Sequence, residues 1–116
     1  MNTRYLFGLP LVTILIRSRE IEALLDTGFD GWLMLPEEII QELNLQYIGQ
    51  TDYELADGEI VESKLYGAEM DWLGETKKFP VVATPSDLSL LGMGLLANAK
   101  TLLRPAKNIL QIEKEI

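Results

Sequence analysis

At 116 residues, 47% of them hydrophobic, the chain suits one compact domain over 1–116 with a single core, and disorder is not expected. Ten Lys and Arg stand against eighteen Asp and Glu, a formal charge of −8, so no basic stripe is available and a nucleic-acid partner is not expected. Neither cysteine nor histidine occurs, which removes disulfides, zinc-thiolate sites, thiol nucleophiles, Ser-His-Asp triads and histidine bases; carboxylates, Lys, Tyr and hydroxyls are left to carry any chemistry.

The first apolar run, Leu6 to Ile16, is eleven residues long and interrupted by Pro10, too short to span a bilayer. Arg17-Ser18-Arg19 after it does not resemble the small-residue cleavage site of a secretory signal. The run therefore reads as strand, and the expected location is cytoplasmic, with no membrane partner. β-Branched Val12 to Ile16, the polar break Arg17 to Glu20 and the apolar Ile21 to Leu25 predict a hairpin whose second strand exits on Asp26. Gly28 and Gly31 punctuate the loop that follows, before Trp32 to Leu35 turn apolar again.

Pro36 to Leu43 carries the best helix signal: Pro and two acids in the first turn, then Ile39, Ile40 and Leu43 on one face, with an end expected near Asn44. Asp57-Gly58 between strand-like flanks predicts a hairpin turn. Alternation from Ile60 to Trp72 predicts a long strand with Ala68, Met70 and Trp72 on one face, and Leu73 to Thr76 turns into a strand over Phe79 to Thr84. Pro85-Ser86-Asp87 is a break. Leu88 to Leu96 reads as a buried strand passing into a short helix at Gly92 to Gly94, and Thr101 to Arg104 with Asn108 to Ile112 reads as a closing hairpin. About seven short strands and one or two small helices make the expected class mostly β, in a closed form.

Asp26-Thr27-Gly28 is the feature that points to chemistry, because an apolar strand ends there on a carboxylate able to reach a cleft. Such a tripeptide arises by chance in about one chain in twenty of this length, so its surroundings have to carry the reading. Three pieces stand in order: Ala23-Leu24-Leu25-Asp26-Thr27-Gly28, then Leu55-Ala56-Asp57-Gly58-Glu59, then Leu90-Leu91-Gly92-Met93-Gly94-Leu95-Leu96. This order resembles the retropepsin-like aspartic proteases, the single-lobe relatives of the pepsin family, over about Val12 to Ile112.

The resemblance implies a closed retropepsin-like β-barrel and an aspartic endopeptidase that needs no metal and no cofactor. It makes Asp26 one half of a catalytic dyad. With one Asp-Thr-Gly in the chain, the second carboxylate would be Asp26 of a second copy, so the implied partners are the chain itself, as a homodimer, and a peptide or protein substrate. Thr27 would bond across the two-fold axis, and Gly28 would let the backbone approach the carboxylates. Ala56, Asp57 and Gly58 would belong to a flap over the substrate, Asp30 would contact the substrate backbone, and Gly92 would let its strand pass beneath the active-site loop.

The chain departs from the retroviral pattern at Phe29, where Ala is common, and at Met93, where an Arg usually pairs with the acid at the position of Asp30. These departures leave open a second reading, a retropepsin-fold module that dimerises or binds peptides without cleaving them. An Asp-x-Asp-Gly-Thr phosphatase loop fails because its first Asp falls on Gly28, and EF-hand spacing is absent.

Overall fold

A computed structural model describes residues Asn2 to Glu115. Ten strands and two short helices follow in the order β1 (Thr3–Leu6), β2 (Leu9–Ile16), β3 (Arg19–Leu25), β4 (Leu33–Pro36), α1 (Glu37–Glu42), β5 (Gln46–Glu54), β6 (Ile60–Trp72), β7 (Glu75–Thr84), β8 (Leu90–Leu91), α2 (Met93–Leu96), β9 (Ala99–Arg104) and β10 (Ile109–Lys114). No helix among the described residues is long and apolar enough to cross a membrane.

Eight strands form one sheet in the order β1-β2-β3-β8-β4-β7-β6-β5, and β9 and β10 form a separate antiparallel pair. The pairs β3/β8 and β4/β7 are parallel, and the remaining neighbours run antiparallel. The mostly β class with two short helices is as expected; the closed barrel is not. Closure needs the two outermost strands to pair, and here β1 and β5 lie at opposite edges. β1 meets β10 through side chains instead, Thr3 Oγ1 donating to the Leu110 carbonyl (2.9 Å) and the Tyr5 hydroxyl to that of Ile109 (2.8 Å). On the other edge β5 is interrupted by a register shift between Tyr47 and Gly49, and Gly49 has a φ of +150°. A bulge bends an edge strand away from a partner, so the sheet stays open.

Three connections are tighter than the sequence suggests. Phe7-Gly8, Arg17-Ser18 and Leu73-Gly74 all have positive φ at both residues, and each joins directly paired strand ends. That is the two-residue turn whose twist matches a hairpin. It starts β7 at Glu75 rather than Phe79, through four exposed polar residues.

The core follows the period-2 rule. Val12, Ile14 and Ile16 of β2, Ile21, Ala23 and Leu25 of β3, and Ala68, Met70 and Trp72 of β6 are all buried in one cluster. The Trp72 indole donates Nε1–H to the Leu95 carbonyl at 2.9 Å, tying β6 to α2. β4 is buried on both faces: Leu33 and Leu35 enter the main core, whereas Met34 joins Phe29 and Val82 in a second, smaller cluster. Helix α1 starts after Pro36 with Glu37 and Glu38 in its first turn, and left-handed Asn44 (φ +51°) ends it where expected.

Candidate active site

Asp26 stands where the alternation of β3 ends. Its amide donates to the Leu91 carbonyl at 2.9 Å, and Leu24 donates likewise to Ser89, so β8 runs parallel alongside the strand that delivers the acid. On its other side β8 pairs with β4, and the Gly92 amide donates to the Trp32 carbonyl at 3.0 Å. The loop from residue 26 to residue 32 therefore leaves β3, arches over the end of β8 and returns through β4.

Gly92 makes that arch possible. A Cβ built there would sit 2.7 Å from the Phe29 carbonyl oxygen and closer still to that of Gly31. Two rigid backbone groups occupy the space a side chain would need. Just beyond, Met93 N–H donates to the Phe29 carbonyl (2.8 Å) and Gly94 N–H to that of Gly31 (2.9 Å). The first amides of a helix have no partner within it, and here the loop supplies one for each. Helix α2 is thus a clamp on the Asp26 loop.

Within the loop, the Asp26 carboxylate accepts the Gly28 amide through Oδ1 at 2.8 Å, and the Phe29 amide donates to the Asp26 carbonyl at 3.2 Å. A Cβ on Gly28 would lie 3.2 Å from Asp26 Oδ1, so the backbone does approach the carboxylate closely. Asp26 is half-buried, Thr27, Gly28 and Asp30 are exposed, and Phe29 is buried. The Phe29 side chain turns inward against Met34 and Val82, with Leu90, Leu65 and Tyr53 packed around them. That apolar cluster lies beneath the loop.

Opposite the loop, β5 and β6 form the long hairpin whose tip carries the predicted turn. Gly58 N–H donates to the Leu55 carbonyl (2.9 Å), Leu55 N–H donates to the Glu59 carbonyl (2.8 Å), and Gly58 has a φ of +88°. The connection is therefore a three-residue loop, Ala56 to Gly58, with glycine in its left-handed position. The Asp57 carboxylate accepts the Glu59 amide at 2.9 Å.

Loop and hairpin enclose a cleft of about 950 Å³. Of the residues singled out from the sequence, Asp26, Gly28, Asp30 and Ala56 line it; Thr27 lies outside the lining on the same loop, and Asp57 and Gly58 sit at the hairpin tip. Asp52, Tyr53, Glu54, Ile60 and Thr84, none of them in the three sequence motifs, complete the walls with Leu90 of the third motif. Their one signal is alternation in β5, where Tyr53 reaches the small cluster while Asp52 and Glu54 are exposed. Asp30 makes no ion pair among the described residues, in keeping with Met93 at the place of the usual Arg. Trp72 is core, and Trp32, 41% exposed, packs over Gly94 outside the cleft.

No protein-family model and no curated protein sequence matches the chain. Solved structures do. The protease of EIAV, in complex with the inhibitor HBY-793, superposes with a TM-score of 0.69 at 24% identity, over 88% of this chain and all of that one. A retropepsin-like aspartic protease from Rickettsia conorii gives 0.69 at 24% identity, over 97% of this chain and 87% of that one. The simian foamy virus protease gives 0.56 at 18% identity, over 75% and 91%. The fold is that of the retropepsin-like aspartic proteases, as the order of motifs implied.

Proposed function

We propose that the chain is an aspartic endopeptidase that works as a homodimer, each copy contributing Asp26. The observation that carries this reading is the placement of Asp26: a half-buried carboxylate on a clamped loop at the floor of a cleft, in a retropepsin fold. Fold by itself does not fix function. The Asp-Thr-Gly loop and its clamp support the peptidase reading beyond the fold alone.

One carboxylate is half of the chemistry. Two brought within a few ångströms keep one proton between them, because like charges that close do not both ionise. The ionised member takes a proton from a bound water, which attacks the peptide carbonyl carbon. The protonated member donates to the carbonyl oxygen as negative charge develops there. The pair titrates as a unit. A second copy across a two-fold axis supplies the missing Asp26, and the exposed Thr27 on the same loop is available to bond across that axis. The β9/β10 hairpin offers an interface: β9 has one edge without a partner strand among the described residues, and Leu102 and Leu103 on it are 42% and 39% exposed. The β5/β6 hairpin, with glycine at its tip, closes over substrate and excludes water.

The test compares wild type with Asp26→Asn on an unstructured protein between pH 3 and pH 7. Cleavage by wild type that the substitution abolishes supports the reading. Absence of cleavage throughout, or cleavage that survives Asp26→Asn, sinks it.

A further inference from the structure

Phe29 is bulky at a place where the retroviral pattern commonly has Ala, and its ring occupies a slot made by two glycines. A Cβ on Gly31 would lie 2.5 Å from Phe29 Cζ, and one on Gly92 would lie 2.5 Å from Phe29 Cδ2. The three atoms nearest to a Gly31 Cβ all belong to this ring, so the space that Gly31 leaves open is taken by Phe29. The ring fits only because neither neighbour carries a side chain.

From this slot the ring packs on Met34 and Val82, and none of the three is more than 8% exposed. Phe29, Met34 and Leu90 also line the cleft together with Asp26, and the Phe29 amide donates to the Asp26 carbonyl. The ring is therefore a piece of cleft floor on the same loop turn as the acid. It is also pinned, with glycine backbone on two flanks and buried side chains against it. The Trp32 ring, 41% exposed, can swing aside; the Phe29 ring has no such freedom. A side chain entering the cleft here meets a floor already packed as a core is packed.

We infer that Phe29 sets the substrate preference of the cleft: the substrate residue seated on the Phe29-Met34-Leu90 floor is apolar and small, the size of Ala or Val, and Leu, Phe or Tyr is turned away. The apolar floor gives a polar side chain no hydrogen-bond partner, which selects apolar character. The pinned ring selects size, because the volume a larger side chain would need already holds it, and overpacking a filled apolar site is penalised. A pocket of fixed volume discriminates by about 10-fold or more for a single methylene. Phe29→Ala hands the ring's volume to the substrate and inverts the preference. The inference rests on the proposed peptidase reading for the identity of the cleft, and is tested separately from it.

Two fluorescent peptides with Ser and Asn on either side of one central residue, Val in the first and Phe in the second, are titrated against Asp26→Asn and against Asp26→Asn/Phe29→Ala, and incubated in parallel with wild type. Asp26→Asn is expected to bind the Val peptide about 10-fold more tightly, and the double variant to favour the Phe peptide by about the same factor. Phe29→Leu in the same background, a change that cores tolerate, carries the test if Phe29→Ala fails to give a cooperative melt; there the preference for Val should fall below about 3-fold. Equal binding or a preference for Phe by Asp26→Asn, binding of neither peptide, or a preference that both Phe29 substitutions leave unchanged overturns the inference whatever is cleaved. A preference that shifts as expected, without cleavage by wild type, leaves the inference standing and sinks the peptidase reading instead.

Discussion

Replacing Gly92 by Ala puts a methyl group where the structure has none to spare. The new Cβ would lie 2.7 Å from the Phe29 carbonyl oxygen, nearer to that of Gly31, and also against the Phe29 ring. Two of these three neighbours are backbone, and both carbonyls already accept the amides that open α2. The strain has no flexible side chain to absorb it. Overpacking of this kind costs about 1–3 kcal/mol, and the backbone contacts place Gly92→Ala at ~2–3 kcal/mol. At roughly 2.1 cal/mol/K per residue, the unfolding entropy of a chain of this size is about 0.24 kcal/mol/K, so the melting temperature should fall by about 8–12 °C. Gly94→Ala is the control. Its Cβ meets the Trp32 ring at 2.8 Å, but that ring is 41% exposed and can swing away, so a loss of less than half as much is expected. Peptidase activity should fall further than stability in Gly92→Ala, because a displacement of about 1 Å in a catalytic loop can cost about 100-fold. Thermal unfolding followed by circular dichroism, with cleavage assayed well below the transition, reads both effects. Equal melting temperatures for wild type and Gly92→Ala would refute a clamp that depends on this glycine.

The remaining predictions concern the scaffold and its charge. Glu75, held by Lys77 first and then by Lys114, has its carboxyl lowered from 4.5 to about 2. Its contribution to stability is therefore complete above pH 4.5 and lost as the pH falls through about 2, so Glu75→Gln should lower the melting temperature slightly at neutral pH, as loss of an exposed ion pair does, and flatten the acid limb of the profile. Trp72→Phe keeps most of the buried ring but leaves the Leu95 carbonyl without its donor; a loss of about 1–2 kcal/mol by urea titration is expected, with an unchanged slope. Because each copy carries a formal charge of −8, self-association should strengthen as salt rises or pH falls, and equal dissociation constants by analytical ultracentrifugation across both ranges would contradict this.

The parts of the fold legible in the sequence are those governed by local periodicity. Alternation placed Ala68, Met70 and Trp72 on the buried face of β6, and Pro36 with its two acids and Asn44 bracketed α1. Asp57-Gly58 marked the hairpin tip, although the loop there has three residues rather than two. Sheet closure was not legible, because alternation tells which face is buried and not which edges meet; β1 pairs with β2 on one side and meets β10 on the other through the Thr3 and Tyr5 side chains rather than by a ladder. The hairpin at Arg17 to Glu20 was legible, but its tightening to the two residues Arg17-Ser18 was not, because neither is a usual left-handed former, whereas Phe7-Gly8 and Leu73-Gly74 at least carry glycine in the second place. At the site, the family resemblance that the motif order carries paired Gly92 with the Asp26 loop. Tyr53 could not be placed in this way, since on a half-exposed strand between Asp52 and Glu54 it looks like part of an ordinary solvated hairpin, and only the tertiary packing brings it against the Phe29-Met34-Val82 cluster beneath the loop.

The central claim is that Asp26 of one copy is half an active site. Wild type and Asp26→Asn, mixed and allowed to exchange at constant total concentration above the dimer dissociation constant, test it directly. If two Asp26 carboxylates act together, activity falls with the square of the wild-type fraction, to about one quarter in an equal mixture. A linear fall, to about one half, would mean that each chain cleaves on its own and would contradict the account.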